Sequence, residues 1–189
     1  ALPIYLNFSG MDFSNADISG VCFIGAVFEG CNFSNANISY SIFDISSFKS
    51  AIFNNTICND SNFAACDFTK AEINNSDFSR SCIRLADFSQ AVIRNTIFEY
   101  LSGDHAKMKR TIIEDCSFNY SDISYGVFEE AKVINISMIR CKMDNISFMK
   151  SELVNCIFAH SKIYKANFTR AEINQLNMNR ISGSLLNFS

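Results

Sequence analysis

A bulky apolar side chain returns every fifth residue from Phe8 to Phe188 without a change of phase. Of the 37 positions on this beat, 34 are Phe, Ile, Met, Leu or Val; the exceptions are Cys58, Gly103 and Gly183, and all 19 Phe of the chain fall on it. A helix, with its period of about 3.6, or a strand, with a period of about 2, cannot keep one face inside at that spacing. The chain must instead turn a corner about every five residues, so that each beat points to a common axis. Two residues before each beat the side chain is mostly small, as at Ala16, Ala26, Cys31, Ala36, Ser41, Ala51, Ser76 and Ala166. Asp or Asn often sits between the two, as in Ala16-Asp17-Ile18 and Ala166-Asn167-Phe168.

On these residues the sequence resembles the pentapeptide-repeat family, with its A(D/N)LxX consensus, over nearly the whole chain. The resemblance implies an all-β fold: a right-handed, quadrilateral parallel β-helix, or solenoid, with four pentapeptides per coil. The residues support the count of four independently. Written in columns of twenty, the first wall reads Phe8, Phe28, Phe48, Phe68, Phe88, Met108, Phe128, Phe148, Phe168 and Phe188. The second wall passes from Phe13, Phe33 and Phe53 to Ile73, Ile93 and Ile113, while the third passes from Ile18 and Ile38 to Phe78, Phe98 and Phe118. Close packing at near-constant volume requires such an exchange. About nine coils at a strand spacing of ~4.8 Å make a rod roughly 43 Å long.

No linker interrupts the beat, so residues 1–189 are expected to form one repeat domain. The chain begins with Ala1 and carries no polar terminal cap. The expectation is therefore a domain cut from a longer protein, with its ends covered by additional domains or paired in an end-to-end homodimer. The longest apolar runs fall far short of the ~20 residues of a membrane-spanning helix. The eight cysteines do not stack within disulfide reach in any column: the nearest pair, Cys116 and Cys156, lies two coils apart, roughly 10 Å. Free thiols, most of them small buried hydrophobes, favour the cytoplasm or another reducing compartment, with delivery into a host cell if the protein is an effector. The stretch 101–107 departs from the pattern, with a large Leu101 in the small slot and Gly103 on the beat. It is read as a loosened corner or as a mobile contact loop.

Corners project outward and are free of core duties. Between the second and third walls they read Asn15, Asn35, Asn55, Asn75, Asn95, Asp115, Asn135, Asn155 and Gln175, an amide ladder suited to turn conformations. Between the third and fourth walls the row contains Tyr40, Arg80, Tyr100, Tyr120, Arg140, His160 and Arg180. Tyr and Arg are the types in which binding energy concentrates. This row either covers backbone through Tyr–Arg stacking or forms a protein-binding edge, and it is the candidate site. A weaker basic row, Lys70, Arg110, Lys150 and Arg170, reads as a solvated face.

Charge and motifs narrow the function. Residues 1–100 hold ten acidic and five basic side chains, and residues 101–189 hold nine and eleven. The net charge of -3 argues against direct nucleic-acid binding. Some members of the family are DNA-like in size and charge and bind DNA gyrase, protecting it from quinolones. Confinement of the net negative charge to the first half weakens that alternative here. His105 and His160 occupy different columns, and no nucleophile elbow, phosphate loop or metal-protease motif occurs, so no enzymatic activity, metal or cofactor is expected. Carboxylates such as Asp17, Asp67, Glu72, Asp77 and Asp87 are read as solubilising. The expected function is a non-catalytic protein–protein interaction scaffold with an unidentified protein partner, as in the repeat domain of a larger bacterial protein such as a secreted effector. The alternatives are a gyrase-directed DNA mimic and the recognition domain of an effector enzyme whose catalytic part lies elsewhere.

Overall fold

The computed structural model describes residues 6–189, and its construction follows from where each pentapeptide sends its five backbone N–H groups. The N–H of the beat residue and that of the corner residue two positions later both donate to the following coil, as Phe13 does to Asn32 O (2.8 Å) and Asn15 to Ser34 O (2.9 Å). The residue before the beat donates to the preceding coil, as Asn32 does to Met11 O (3.2 Å). The residue after the beat is often capped by the Asp or Asn side chain two positions earlier: Asp17 Oδ1 accepts from Ser19 N, Asp67 from Thr69, Asp77 from Ser79 and Asp87 from Ser89. These four carboxylates therefore hold turns in place, and are not only solubilising groups; Glu72, one carbon longer, makes no such bond.

The fifth N–H, that of the small slot, has two destinations. In many turns it returns to the beat carbonyl three residues back, as Ala51 N does to Phe48 O (3.0 Å). Where the next coil carries a slot hydroxyl it can donate to that instead, or to both, as Ala26 N does to Ser46 Oγ and Phe23 O. Ser46 Oγ accepts from Ala26 N (3.0 Å) and donates to Phe23 O (2.7 Å), so one hydroxyl satisfies two buried backbone groups. The slot thus selects for a hydroxyl as well as for small size.

Every corner residue from position 10 to position 185 has positive φ, near 50–72°. This left-handed backbone lets the chain turn after each beat, and Gly and Asn adopt it at low cost. Parallel bridges link the residue before each beat to its counterpart twenty positions on, in a series running Asn7, Val27, Ser47, Asp67, Asp87, Lys107, Val127, Ser147, Asn167, Asn187 along the first wall. On the second wall the extended stretch is long enough to make strands: β1 (Ile52–Asn54), β2 (Glu72–Asn74), β3 (Val92–Arg94), β4 (Ile112–Glu114), β5 (Lys132–Ile134), β6 (Glu152–Ile157) and β7 (Glu172–Asn177) form one parallel sheet in sequence order. On the other walls a turn mostly follows the beat directly and pairing is limited to single bridges, except that β6 and β7 continue onto the third wall through Cys156–Leu176 and Ile157–Asn177. The architecture is a parallel β-helix.

The beat residues fill its axis. Phe48 lies flat between Phe28 and Phe68, at centroid distances of 5.1 and 5.0 Å, and meets Phe43 edge-on at 5.3 Å. Where Met108 interrupts the first column, the aromatic stack continues on the third wall through Phe78, Phe98 and Phe118. Residues 101–107 keep the regular coil: Gly103 N donates to Asp122 O (2.8 Å), Leu101 is buried, and a Cβ built on Gly103 would lie 3.2 Å from Ile83 Cγ1. Ile83 occupies the space beside Gly103 and Leu101 is buried in its own slot, so the stretch is neither a loosened corner nor a loop. The amide ladder is partial. Asn15, Asn35 and Asn55 are joined by side-chain bonds of 3.2 Å, and Asp115, Asn135 and Asn155 by bonds of 2.8 and 3.1 Å; between Asn55 and Asp115 the shared feature is the left-handed backbone alone.

Candidate functional site

Core demands leave the outward positions free, so their distribution locates the site. Among the described residues 17 large hydrophobic side chains are exposed. Four of them, Leu6, Met11, Ile173 and Phe188, are inward positions uncovered at the ends of the rod. Ten lie on the fourth wall or the two corners bordering it: Ile24, Tyr40, Ile42, Ile45, Leu85, Tyr100, Tyr120, Tyr125, Tyr164 and Leu185. The other three, Ile57, Ile97 and Ile157, are on the third wall, and none is on the first or second.

The row of Tyr40, Arg80, Tyr100, Tyr120, Arg140, His160 and Arg180 forms one edge of this face, and all seven side chains are exposed. Three of them are brought together: the rings of Tyr100 and Tyr120 stack at 5.0 Å, and the Arg140 guanidinium sits 5.7 Å from the Tyr120 centroid. Arg80 goes elsewhere. Its guanidinium grips Asp60, one coil earlier, through two bonds of 2.8 and 2.7 Å, which hold the Asp60 carboxyl below the usual carboxylate range. His160 and Arg180 make no side-chain bond within the row. The row is thus two separate clusters followed by two exposed cations or potential cations.

The opposite edge, the corner between the fourth and first walls, escaped the sequence reading. It carries Ile45, Leu85, His105, Tyr125 and Lys165; His105 stacks on Tyr125 at 4.6 Å, and Lys165 lies over Tyr164 at 5.3 Å. Sorting every outward position into columns of twenty, as for the beats, reveals it. Among the described residues, Ile45 is the single β-branched one of the 32 non-glycine residues with positive φ. At φ 55° and 58% exposed, it holds a strained backbone that gains nothing from burial. The floor between the edges changes along the rod, from Cys22, Ile24 and Ile42 to an ion-pair ladder of Arg84–Asp104 (2.8 Å), Lys142–Asp122 (2.8 Å) and Lys162–Asp144 (3.6 Å).

Chemistry is sparse elsewhere. All eight cysteines are free. Burial pushes the thiols of Cys116 and Cys141 up to about 12 and that of Cys156 to about 11, which makes them poor nucleophiles. Among the described residues no three His, Cys, Asp or Glu side chains gather as metal ligands, and no helix is long and apolar enough to cross a membrane. A cleft of about 470 Å³ between β6 and β7, lined by Asn155, Cys156, Ile157, Gln175, Leu176 and Asn177, contains no acid, base or activated nucleophile.

Comparisons agree with the architecture. The pattern of pentapeptide repeats matches in eight copies, among them residues 4–30, 12–49 and 46–84. The full-length structure of QnrB1, a plasmid-mediated fluoroquinolone resistance protein, superposes with a TM-score of 0.82 at 15% identity, covering 95% of this chain and 92% of that one. A trypsin-treated QnrB1 variant gives a TM-score of 0.52 at 19% identity, covering 95% and 90%. At these identities the likeness is one of fold. No curated protein matches the sequence.

Proposed function

The chain belongs to the pentapeptide-repeat family, and from that premise we propose that it is a non-catalytic protein–protein interaction scaffold whose docking face is the fourth wall with its two bordering corners. The observation that carries this reading is the confinement of ten of the thirteen outward exposed hydrophobic side chains to that face, with none on the first two walls. Contiguous exposed apolar and aromatic surface marks interaction sites, and Tyr and Arg are the residues in which binding energy concentrates. The rigid rod holds both edges in register without a partner present, which lowers the ordering cost of binding. Free thiols throughout support function in a reducing compartment.

The fold of a fluoroquinolone resistance protein raises DNA mimicry as an alternative. The distribution of charge runs against it here, because the C-terminal part of this face is basic, whereas a DNA-like surface requires continuous negative charge. Pull-downs with the immobilised rod test the scaffold reading. Partners captured by the wild type should be lost with an Ile24→Asp, Tyr100→Ala, Arg140→Glu variant and retained with an Asn35→Ala, Asn55→Ala, Asn135→Ala variant of the amide corner. Retention of every partner by the first variant removes the face from consideration. Inhibition of gyrase supercoiling by the wild type would favour the alternative.

A further inference from the structure

The fourth wall is graded along the rod, and the gradient describes what should lie on it. Its first four coils expose Ile24, Ile42, Ile45 and Leu85, and their charges, Asp44 and Asp60 against Arg80 and Arg84, sum to zero, with Asp60 paired to Arg80. Its last three coils carry five cations, Arg140, Lys142, Lys162, Lys165 and Arg180, against one carboxylate, Asp144, a net of +4 on a chain whose total is -3. Arg140, Lys165 and Arg180 have no carboxylate within salt-bridge distance among the described residues. Two of these three are held in place over tyrosine rings, Arg140 at 5.7 Å and Lys165 at 5.3 Å, so their charge is presented at defined positions.

Resting on the docking-face reading above, we propose that the fourth wall binds an extended polypeptide segment with an apolar end and an acidic end, laid along the rod with its acidic end over Arg140, Lys165 and Arg180. Charge complementarity selects the acidic end, and the apolar coils select the other. From Ile24 to Lys165 the face spans about seven coil spacings of ~4.8 Å, roughly 34 Å, which an extended segment of about ten residues covers. A second copy of the chain fits less well. An antiparallel pair would set each basic third on the partner's apolar coils, and the apolar coils alone, about 19 Å by one wall width, fall well below the ~800 Å² per partner of a stable interface. Duplex DNA would engage the cations and leave the isoleucines in water.

Fluorescence anisotropy with synthetic probes tests this on the intact chain. The probes are a peptide with a Leu/Phe block followed by a Glu block, the same peptide reversed, an alternating isomer of the same composition, a DNA duplex and phosphatidylserine vesicles. One of the two block peptides should bind at least about tenfold more tightly than the alternating isomer, and more tightly than duplex or vesicles. Arg140→Glu with Lys165→Glu and Arg180→Glu should weaken it by about tenfold or more and flatten its salt dependence. Ile24→Asp with Ile42→Asp should weaken it at every salt concentration without changing that dependence. All these positions are exposed, and unchanged thermal midpoints exclude misfolding as the cause. Equal binding of the alternating isomer, insensitivity to the charge reversals, or preference for duplex or vesicles overturns the proposal. If pull-down partners depend on the fourth wall while neither block peptide binds, the docking face stands and the acidic segment falls.

Discussion

The hydroxyl of Ser81 accepts the backbone N–H of Ser61, one coil earlier, at 3.1 Å, and donates to the Cys58 carbonyl at 2.8 Å. Ser61 in turn accepts from Ser41 N at 3.1 Å and donates to Ile38 O at 2.9 Å, so a chain of buried hydroxyls ties successive coils together on the fourth wall. Ser81→Ala keeps the small volume and strands a buried donor and acceptor. The expected cost is about 1–3 kcal/mol, read as a lowered urea midpoint at unchanged slope. A change under a few tenths of a kcal/mol would mean that the turn relaxes to satisfy both groups.

Phe48 is fully buried and stacked on both sides. Phe48→Ala should destabilise by about 3–5 kcal/mol, and Phe48→Met by much less, because volume is nearly conserved. Each coil leans only on its neighbours, so unfolding of the alanine variant should begin at the break. Hydrogen exchange would show early loss of protection in residues 28–68.

The buried thiols make stability depend on alkali. In the folded chain Cys116 and Cys141 hold their protons up to about 12, against an ordinary value of 9.0 once unfolded. Between those values the folded state binds more protons than the unfolded one. Stability is therefore full below pH 9 and falls as pH rises through that window. Unfolding midpoints measured from pH 8 to 11 should decline, and less steeply in a Cys116→Ala, Cys141→Ala variant. Alkylation of the folded chain at pH 8 should modify exposed Cys22 first and spare Cys66, Cys116 and Cys141.

Ile45 separates stability from binding. Glycine at this position relieves a β-branched side chain held at φ 55°, so Ile45→Gly should stabilise the rod or leave it unchanged, within about 1 kcal/mol, while weakening whatever docks on the fourth wall. Calorimetry and the anisotropy titration read the two effects on one sample. A clear destabilisation would show that Ile45 packs in the fold and does not serve the surface.

The Phe columns were legible in the sequence because a beat residue has one place to go, the axis, and twenty residues bring the chain back to it. Leu101 and Gly103 break the repeat only when each is considered alone: Leu101 is buried in its slot, and Ile83, one coil away, occupies the space at Gly103. Slot serines were read as small, since size is visible in a repeat and the direction of a hydroxyl is not. The column shows which corner side chains stand in one row, not how they pair. Tyr100, Tyr120 and Arg140 meet as their column suggested, but the column could not say that Arg80 would choose Asp60 over a tyrosine ring.

The sequence by itself determined the coil, its period and the inhabitants of the axis, because burial repeats with every turn and imprints a pattern that chance does not make. It also determined which side chains stand one above another. Only the tertiary structure decided how outward neighbours pair, which hydroxyls bridge coils, and that two corner rows and the wall between them form one face. Those depend on distances around the rod, between residues whose spacing along the chain obeys no burial rule.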